Sequence, residues 1–262
     1  MAQTINAAKA RLRKGELAIG CGIRLVRNVD IIKIMKAAGF DWMFIDCEHG
    51  SMSIETACEL SVAAQDSGVA PIVRVPYGQL TMATRMLDGG ALGIVIPHVD
   101  TPEEAKEIAD KLRYPPRGHR SVGGADAQFD YAPPPLGEMT KAIDEQMLLT
   151  VMIETPKAVE NAEAIAAVPG IDCLLVGSSD LSMELGIPGD RGHQKIQDAV
   201  DKVVAACRKH DKWPGMGGAY SDELLRLYIG KGMKFILSGN DMPLMVAATK
   251  ALQGKVRAFQ KK

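Results

Sequence analysis

Short apolar runs rich in β-branched residues alternate along the chain with segments whose apolar residues recur at helical spacing. This alternation predicts eight strands, each followed by helical structure. The predicted strands are Leu17–Ile23, Trp42–Ile45, Pro71–Val75, Gly93–Pro97, Leu148–Ile153, Asp172–Val176, a run around Pro214–Gly218, and Lys234–Leu237. Because these runs are apolar throughout, they suit a parallel sheet that is covered by helices.

The number of strand–helix units predicts the fold class. Eight units within 262 residues are typical of an α/β protein with a (β/α)8 TIM barrel. A doubly wound parallel sheet is the alternative. No break in composition divides the chain, so residues 1–262 are predicted to form a single domain.

Capping residues mark several helix starts. Thr101 is followed by a proline and, three residues on, by Glu104, which predicts a capping box. Thr155 is also followed by a proline, and Ser221 precedes two acidic residues. One segment, 121–139, is instead rich in glycine and proline. It is predicted to be a lid, a subunit-contact loop or a plain surface excursion.

Composition narrows the class of partner. Hydrophobic residues make up 47% of the chain, charged residues make up 24%, and the net charge is −1. No basic stripe indicates nucleic acid, and no apolar run approaches the roughly 20 residues of a membrane-spanning helix. The first 16 residues read as a charged amphipathic helix rather than a signal peptide. Five scattered cysteines without a CxxC pair favour a reducing, cytoplasmic location.

Polar and ionisable residues follow most of the predicted strands. In a TIM barrel the active site lies at the carboxyl ends of the strands, so these residues are expected on one rim. They are Arg24, then Asp46, Glu48 and His49, then Arg74, His98 and Glu154, and finally Ser178, Ser179 and Asp180.

Glu154 and Asp180 follow successive strands. Two carboxylates that face one point repel each other unless a cation or a shared proton relieves them. Mg²⁺, Mn²⁺ or Co²⁺ would suit such a pair together with water and substrate oxygens. The alternative is that each acid only stabilises the helix that begins beside it.

The remaining strand-end residues have catalytic and structural interpretations. Asp46 and His49 are spaced for a carboxylate–imidazole pair that acts as a base. Arg74 is expected either to stabilise an oxyanion or to form a buried salt bridge with Glu48 or Asp46. The turn that starts at Gly177 is expected either to bind a substrate carboxylate or only to cap a helix. His98 is assigned a structural role.

Glycines near the last two predicted strands suggest an alternative function, the binding of a phosphate group. Gly215, Gly217 and Gly218 follow the seventh strand, and a predicted Ser238–Asn240 turn follows the eighth. Many barrels grip phosphate at these positions, although glycine there also serves close packing and turns. A metal-free sugar-phosphate isomerase or epimerase is therefore one alternative.

The ordered motifs FDWMFIDCEHG, IVRVP, LDGGALGIVIPHV, RYPPRGHRSVGG, MIETPKAVEN, GIDCLLVGSSDLSMELG and GMKFILSGND resemble the metal-dependent (class II) pyruvate aldolases of the HpcH/HpaI family. The resemblance runs from about residue 15 to 255. It implies a TIM barrel of the phosphoenolpyruvate/pyruvate superfamily. It also implies a homo-hexamer, built as a trimer of dimers, in which a C-terminal helix is exchanged between subunits.

The resemblance also implies residue roles. Glu154 and Asp180 match the metal-binding acids, and His49 with Asp46 matches the base. Arg74 matches the arginine that steadies the enolate oxygen. Gly177, Ser179 and Asp180 match the turn that holds the pyruvate carboxylate. Asp88 matches an acid that the family lends to the neighbouring subunit's site.

The sequence departs from the family pattern at three places. Met152 stands where the family often has glutamine, GSSD replaces GPAD, and the segment IGCGIR lacks a usual tryptophan. We expect these departures to alter the pocket for the aldehyde and to leave the metal-binding acids and the base in place.

The resemblance implies an aldehyde-lyase that reversibly cleaves 4-hydroxy-2-oxo acids to pyruvate and an aldehyde through a metal-stabilised pyruvate enolate. Its substrates would be small molecules. A malyl-CoA or citramalyl-CoA type lyase of the same superfamily is a further alternative, although the sequence shows no obvious basic groove for the CoA phosphates.

Overall fold

The computed structural model describes residues 5–123 and 126–260 and shows eight parallel strands in a closed barrel. Each strand pairs with its neighbours in the chain, and the last strand pairs with the first. The strands are β1 (Ala18–Ile23), β2 (Trp42–Asp46), β3 (Ala70–Arg74), β4 (Gly93–Ile96), β5 (Leu148–Ile153), β6 (Cys173–Gly177), β7 (Trp213–Gly217) and β8 (Phe235–Asn240). The (β/α)8 prediction is confirmed, and closure of the sheet excludes the doubly wound alternative.

Helices follow the strands and cover the barrel. They are α1 (Ala7–Arg13), α2 (Asp30–Ala37), α3 (Ile54–Asp66), α4 (Leu80–Asp88), α5 (Pro102–Leu112), α6 (Leu136–Gln146), α7 (Pro156–Glu160), α8 (Ala162–Ala166), α9 (Ser178–Glu184), α10 (Gln194–Lys209), α11 (Asp222–Lys231) and α12 (Asp241–Ala258). The predicted caps at Thr101, Thr155 and Ser221 are confirmed, including the capping box at Thr101. Within the described ranges, no helix is both long enough and apolar enough to cross a bilayer.

All eight predicted strands are present, and only the end of β8 differs substantially. The turn predicted at 238–240 is wrong, because the strand continues to Asn240 before α12 begins. The register of β1 against β8 shifts between Gly20 and Gly22, so that Gly22 pairs with Asn240. Ser238 Oγ also donates to the carbonyl oxygen of Gly20 at 3.0 Å, which holds this end of β8 against β1.

Aromatic rings fill the barrel interior. Trp42 stacks on Phe235 with ring centroids 3.9 Å apart, and Phe44 meets Trp42 edge-on. A Cβ atom at Gly20 would overlap the Trp42 ring, so β1 leaves the space that the indole occupies. This filling makes the interior of the barrel a packed core rather than an open channel.

Helix α1 lies across the amino ends of the strands. Asn6 caps α1 and donates from Nδ2 to the carbonyl oxygens of Leu92 and Gln146. Lys9 Nζ donates to the carbonyl oxygen of Met147 at 2.7 Å. The predicted N-terminal helix is confirmed over Ala7–Arg13, whereas residues 1–4 lie outside the described ranges.

The glycine- and proline-rich segment 121–139 is partly helical. A short 3-10 helix spans Asp126–Phe129, and α6 begins at Leu136, so the predicted excursion ends before Met139. Phe129 is buried, whereas Tyr131 is exposed. Residues 124 and 125 lie outside the described ranges.

Candidate active site

A cavity of about 240 Å³ opens at the carboxyl ends of the strands. It is lined by Arg24, Phe44, Asp46, His49, Arg74, Met152, Glu154, Leu175, Gly177, Ser178, Ser179, Asp180, Gly217, Gly218, Tyr220, Leu237 and Asn240. All the residues to which the resemblance gave a role therefore line this cavity except Asp88, whereas the strand-end residues Glu48 and His98 do not line it. A larger cavity of about 550 Å³ lies beside α3 and the end of α4.

Asp46 ends β2 and is the most heavily bonded carboxylate of the site. Its side chain is 1% exposed. Arg74 donates to it through Nε at 3.0 Å and Nη2 at 2.6 Å, and Arg24 Nε lies 2.8 Å away. Burial raises the pKa of Asp46, but the hydrogen bonds and charge of Arg74 outweigh burial, so that the pKa lies below its ordinary value. Asp46 therefore remains ionised and fixes both arginines.

The predicted pair between the Asp46 carboxylate and the His49 ring does not form. The backbone N–H groups of Glu48 and His49 donate to Asp46 Oδ1 at 3.1 and 3.2 Å, and the arginines occupy the rest of the carboxylate. Asp46 thus closes the turn after β2. The carboxylate that faces the imidazole is Glu48, whose Oε2 lies 3.8 Å from His49 Nε2.

Arg74 ends β3 and forms the buried salt bridges that were one of its two predicted roles. Besides its two bonds to Asp46, Nη1 lies 3.0 Å from Glu48 Oε2, without the alignment of a hydrogen bond. The guanidinium also lies over the Phe44 ring, 5.1 Å from its centroid. These contacts hold the guanidinium in one orientation at the edge of the cavity.

Glu154 follows β5 and carries the strongest electrostatic signal in the site. It is 1% exposed, and its Oε2 accepts a hydrogen bond from the backbone N–H of His98 at 3.0 Å. Burial raises the pKa of Glu154 to about 7; the N–H group and charge of His98 oppose this rise, and the negative charge of Asp180 adds to it. The charge of Asp180, the second acid predicted to act here, is thus one cause of the raised pKa of Glu154.

The start of α9 is shaped to admit these carboxylates. A Cβ atom at Gly177 would overlap the Glu154 carboxylate, so only glycine fits at this position. Gly177 is also the N-cap, and no side chain caps the first turn of α9. The half-buried Asp180 lies within that turn. Ser178 Oγ is directed away, to the carbonyl oxygen of Gly217 at 2.8 Å.

The candidate donors for a metal ion are the carboxylates of Glu154 and Asp180. Across residues 5–123 and 126–260, no group of three or more histidine, cysteine, aspartate or glutamate side chains is arranged to hold a metal. A pair of carboxylates that repel each other beside an open cavity still fits a hard cation, since Mg²⁺ commonly uses one or two protein carboxylates and takes other ligands from water and substrate.

Asp88 lies outside this cavity, at the last residue of α4. Its Oδ1 accepts a hydrogen bond from Nη2 of the buried Arg120 at 2.6 Å. It lines the larger cavity together with Cys58 and Tyr131. Asp88 therefore takes no part in the carboxylate and arginine network of its own chain's barrel mouth.

The sequence interpretation missed three features of the site. Tyr220 and Asn240 line the cavity, and Glu154 accepts a hydrogen bond from the main chain of His98, whose ring Nδ1 lies farther away at 3.6 Å. Applying the strand-end rule to a β8 that ends at residue 240 would have found Asn240. Arg24 was noted as a strand-end residue but given no role. Tyr220 has no distinguishing pattern in the sequence.

Comparisons with known proteins agree with this geometry. A sequence model of the family described as HpcH/HpaI aldolase/citrate lyase matches residues 25–244. A 4-hydroxy-4-methyl-2-oxoglutarate aldolase of Hapsidospora irregularis is 36% identical, covering 97% of this chain and 96% of that relative. A 4-hydroxy-2-oxovalerate aldolase of Rhodococcus jostii is 35% identical, covering 97% of each chain. The crystal structure of an HpcH/HpaI aldolase from Desulfitobacterium hafniense superposes with a TM-score of 0.91 at 30% identity, covering 99% of this chain and 98% of that one.

Proposed function

The chain belongs to the HpcH/HpaI aldolase/citrate lyase family, whose named relatives are carbon–carbon lyases, and we propose that it is a metal-dependent aldolase that reversibly cleaves 4-hydroxy-2-oxo acids to pyruvate and a second carbonyl compound. The observation that carries the proposal is the buried Glu154, whose pKa is raised to about 7 beside the charge of Asp180. A buried carboxylate beside a second, half-buried one is costly at the mouth of a barrel unless a cation or a shared proton relieves the repulsion.

Glu154 and Asp180 are the residues that would hold the metal, with Mg²⁺, Mn²⁺ or Co²⁺ as the candidates. When bound, such an ion supplies Lewis acidity that favours loss of a proton from, or cleavage of a bond to, the carbon beside a 2-keto group. The two named relatives differ in the remainder of their substrates. A 2-oxoglutarate derivative carries a second carboxylate and a 2-oxovalerate derivative does not.

The chain's own residues account for orientation and proton transfer. The uncapped N–H groups at Ser179 and Asp180, made accessible by Gly177, would bind the carboxylate of pyruvate. Arg74, locked by Asp46 and Glu48, would place positive charge at the oxygen that becomes negative in the enolate.

In the cleavage direction the bond between C3 and C4 breaks, and its electron pair passes to C3 and the 2-keto group. The 4-hydroxyl group loses its proton and becomes the second carbonyl. We assign acceptance of that proton to His49, whose ring lines the cavity. Because Glu48 faces this ring, Glu48 rather than Asp46 would stabilise its protonated form. C3 then takes up a proton and becomes the methyl group of pyruvate.

The test is proton exchange at the methyl group of pyruvate, followed by NMR in D₂O. We expect exchange that EDTA abolishes, that a divalent ion restores, and that Glu154→Gln lowers on the order of 100-fold or more. Glu103→Gln, which neutralises an exposed acid on α5, is the matched control. Exchange that survives both EDTA and Glu154→Gln would exclude the metal mechanism.

We also propose that the protein assembles as a homo-hexamer, a trimer of dimers in which α12 is exchanged between subunits. Support comes from α12 itself, in which only Asp241 is buried. Large apolar side chains are exposed along this helix and just beyond its end: Met242, Leu244, Met245, Val246, Leu252, Val256 and Phe259. In such an assembly Asp88, which lies outside its own chain's cavity, would serve the neighbouring site.

The five free cysteines support a reducing, cytoplasmic setting.

A further inference from the structure

The carboxyl-terminal rim of the barrel consists of two arcs, one with the residues assigned to pyruvate and the metal and one with residues that have no assigned role. Every group assigned to pyruvate or to the metal lies on the arc from the end of β2 to the start of α9 after β6. The rest of the rim is formed by β7, β8 and β1, which are neighbours in the closed sheet. This second arc contributes Arg24, Tyr220 and Asn240 to the cavity. The second carbonyl compound must meet pyruvate inside the cavity, so the unassigned arc is its natural binding wall.

The guanidinium group of Arg24 has hydrogen-bond donors that are not used within its own chain. Its Nε lies 2.8 Å from Asp46 Oδ2, and within the described part of the chain neither Nη1 nor Nη2 makes a hydrogen bond. The side chain is 32% exposed and lines the cavity. An arginine anchored by Nε and free at both terminal nitrogens presents a fork that matches a carboxylate.

The backbone that carries Arg24 is fixed. Asp241, the first residue of α12, accepts hydrogen bonds from the N–H groups of Arg24, Leu25 and Val26 at 3.1, 2.9 and 2.8 Å. The loop after β1 is therefore tied to the end of β8. Arg24 is thus held from two sides, by Asp241 at its backbone and by Asp46 at its side chain.

Tyr220 offers a second donor on the same arc. Asn240 Nδ2 donates to the Tyr220 hydroxyl oxygen at 3.1 Å, so the hydroxyl acts as acceptor in that bond and its own proton remains available. Asn240 is buried against β1, where a Cβ atom at Gly22 would overlap its Oδ1. The absence of a side chain at Gly22 thus sets the place of Asn240, and Asn240 positions Tyr220.

We propose that the second carbonyl compound carries a carboxylate, which Arg24 binds through its free terminal nitrogens and Tyr220 through its hydroxyl proton. The cleavage substrate is then a 4-hydroxy-2-oxo dicarboxylate, and the second product is an oxo acid rather than a simple aldehyde. This assignment rests on the proposed aldolase function and specifies the substrate class of the same site.

Two substrates of equal length test the assignment. In 4-hydroxy-2-oxoglutarate C5 is a carboxylate, and in 4-hydroxy-2-oxopentanoate it is a methyl group. We expect wild-type kcat/KM to favour the dicarboxylate about 10- to 100-fold, the range that charge-assisted hydrogen bonds supply. Arg24→Met should remove most of this preference by lowering kcat/KM for the dicarboxylate alone. Tyr220→Phe should reduce the preference by a smaller factor.

Two controls separate this assignment from a supporting role for Arg24. Arg27→Met removes a nearby exposed arginine outside the cavity and should leave the preference unchanged. Exchange of the pyruvate methyl protons needs no second substrate, so it reports on Asp46 and Arg74 alone; a loss of exchange in Arg24→Met as large as its loss of kcat/KM on the dicarboxylate would assign Arg24 to the support of those residues and overturn the carboxylate assignment.

Each outcome decides between the two proposals. A wild-type enzyme that exchanges pyruvate protons but does not prefer the dicarboxylate would overturn the carboxylate assignment and leave the aldolase function standing. Equal losses on both substrates in Arg24→Met and Tyr220→Phe would also overturn it. Failure of wild-type exchange in the presence of divalent metal would instead count against the aldolase function itself.

Discussion

At the scale of single residues, the site depends on main-chain groups as much as on side chains. Glu154 is oriented by the backbone N–H of His98, and the φ angle of His98 is 52°. A residue with a Cβ atom is strained in this left-handed region, and glycine is not. The structural role predicted for His98 is thus borne by its backbone, a role that residue identity alone does not indicate.

This arrangement predicts a difference between two substitutions of His98. Both His98→Gly and His98→Ala remove the ring and keep the N–H group, so both should retain exchange of the pyruvate methyl protons. The glycine variant should be more stable than the alanine variant by about 1 kcal/mol, because only alanine keeps the strain of a positive φ. Urea unfolding of the two purified variants measures the difference.

The exchange rates of these variants distinguish a role of the His98 backbone N–H group from a role of the His98 imidazole ring. If His98→Gly loses exchange to the same extent as Glu154→Gln, the imidazole, whose Nδ1 lies 3.6 Å from Glu154 Oε2, is required for the chemistry.

Residue spacing predicted which groups meet at the rim but not how they pair. Asp46 and His49 were expected to pair through carboxylate and ring, yet the carboxylate is saturated by Arg74, Arg24 and two N–H groups. The sequence carries no signal for this competition, since it is decided by the distance between the ends of β1, β2 and β3. Glu48, whose role the sequence left open, faces both the His49 ring and Arg74.

At the scale of elements, strand prediction succeeded because most of the strands are buried on both faces. Strands such as β5 are buried along their whole length, and a recognisable helix start follows β5 at Thr155. Prediction failed at β8, where Ser238, Gly239 and Asn240 have the composition of a turn. They are held in the strand by pairing with β1, which lies at the other end of the sequence. Contacts this distant leave no local pattern.

Helix α1 introduces a buried cation at the amino end of the barrel. Lys9 Nζ lies 3.4 Å from Asp172 Oδ1. Burial lowers the pKa of Lys9 to about 8; Asp172 opposes this effect, and the charges of Arg113 and Arg13 add to it. Its value in the unfolded chain is near 10.5.

This lowered pKa predicts a pH dependence of stability. Between pH 8 and 10.5 the unfolded chain holds more protons at Lys9 than the folded chain, so the contribution of this residue to the free energy of unfolding rises with pH. The free energy of wild type minus that of Lys9→Met should therefore increase by about 2 kcal/mol from pH 8 to pH 10. Urea unfolding at both pH values gives this difference.

Lys14→Met, at the exposed C-cap of α1, serves as the control and should show no such increase. A flat difference for Lys9→Met would mean that Lys9 keeps an ordinary pKa in the folded protein.

At the scale of the whole molecule, the count of strand–helix units predicted the barrel. The resemblance supplied the family, which the comparisons confirmed. Of the departures from the family pattern, Met152, Ser178 and Ser179 line the cavity. Their expected effect on the aldehyde pocket stays a prediction. The proposed preference for a dicarboxylate could not be predicted from the sequence, because Arg24, Tyr220 and Asn240 come from opposite ends of the chain and line one cavity only in the closed barrel.

The exposed apolar surface of α12 predicts a measurable assembly. Size-exclusion chromatography with light scattering should give a mass that is a multiple of 28.1 kDa, and roughly six times that value for a hexamer. Met245→Glu with Leu252→Glu, which places charge on two exposed apolar positions of α12, should lower the mass. Lys250→Glu alters charge on the same helix without removing an apolar group, and it should leave the mass unchanged. A wild-type protein of 28.1 kDa would overturn the assembly.

Pairing of β1 with β8 has a consequence for how the chain is made. Ala18 pairs with Phe235, so the barrel cannot close until β8, the last strand to be synthesised, is available to pair with β1, the first. Until then the nascent sheet has two open edges, which can pair with other chains. Early release of the polypeptide before residue 235 would leave both edges unpaired, and such a fragment would be a natural target for chaperones and proteases.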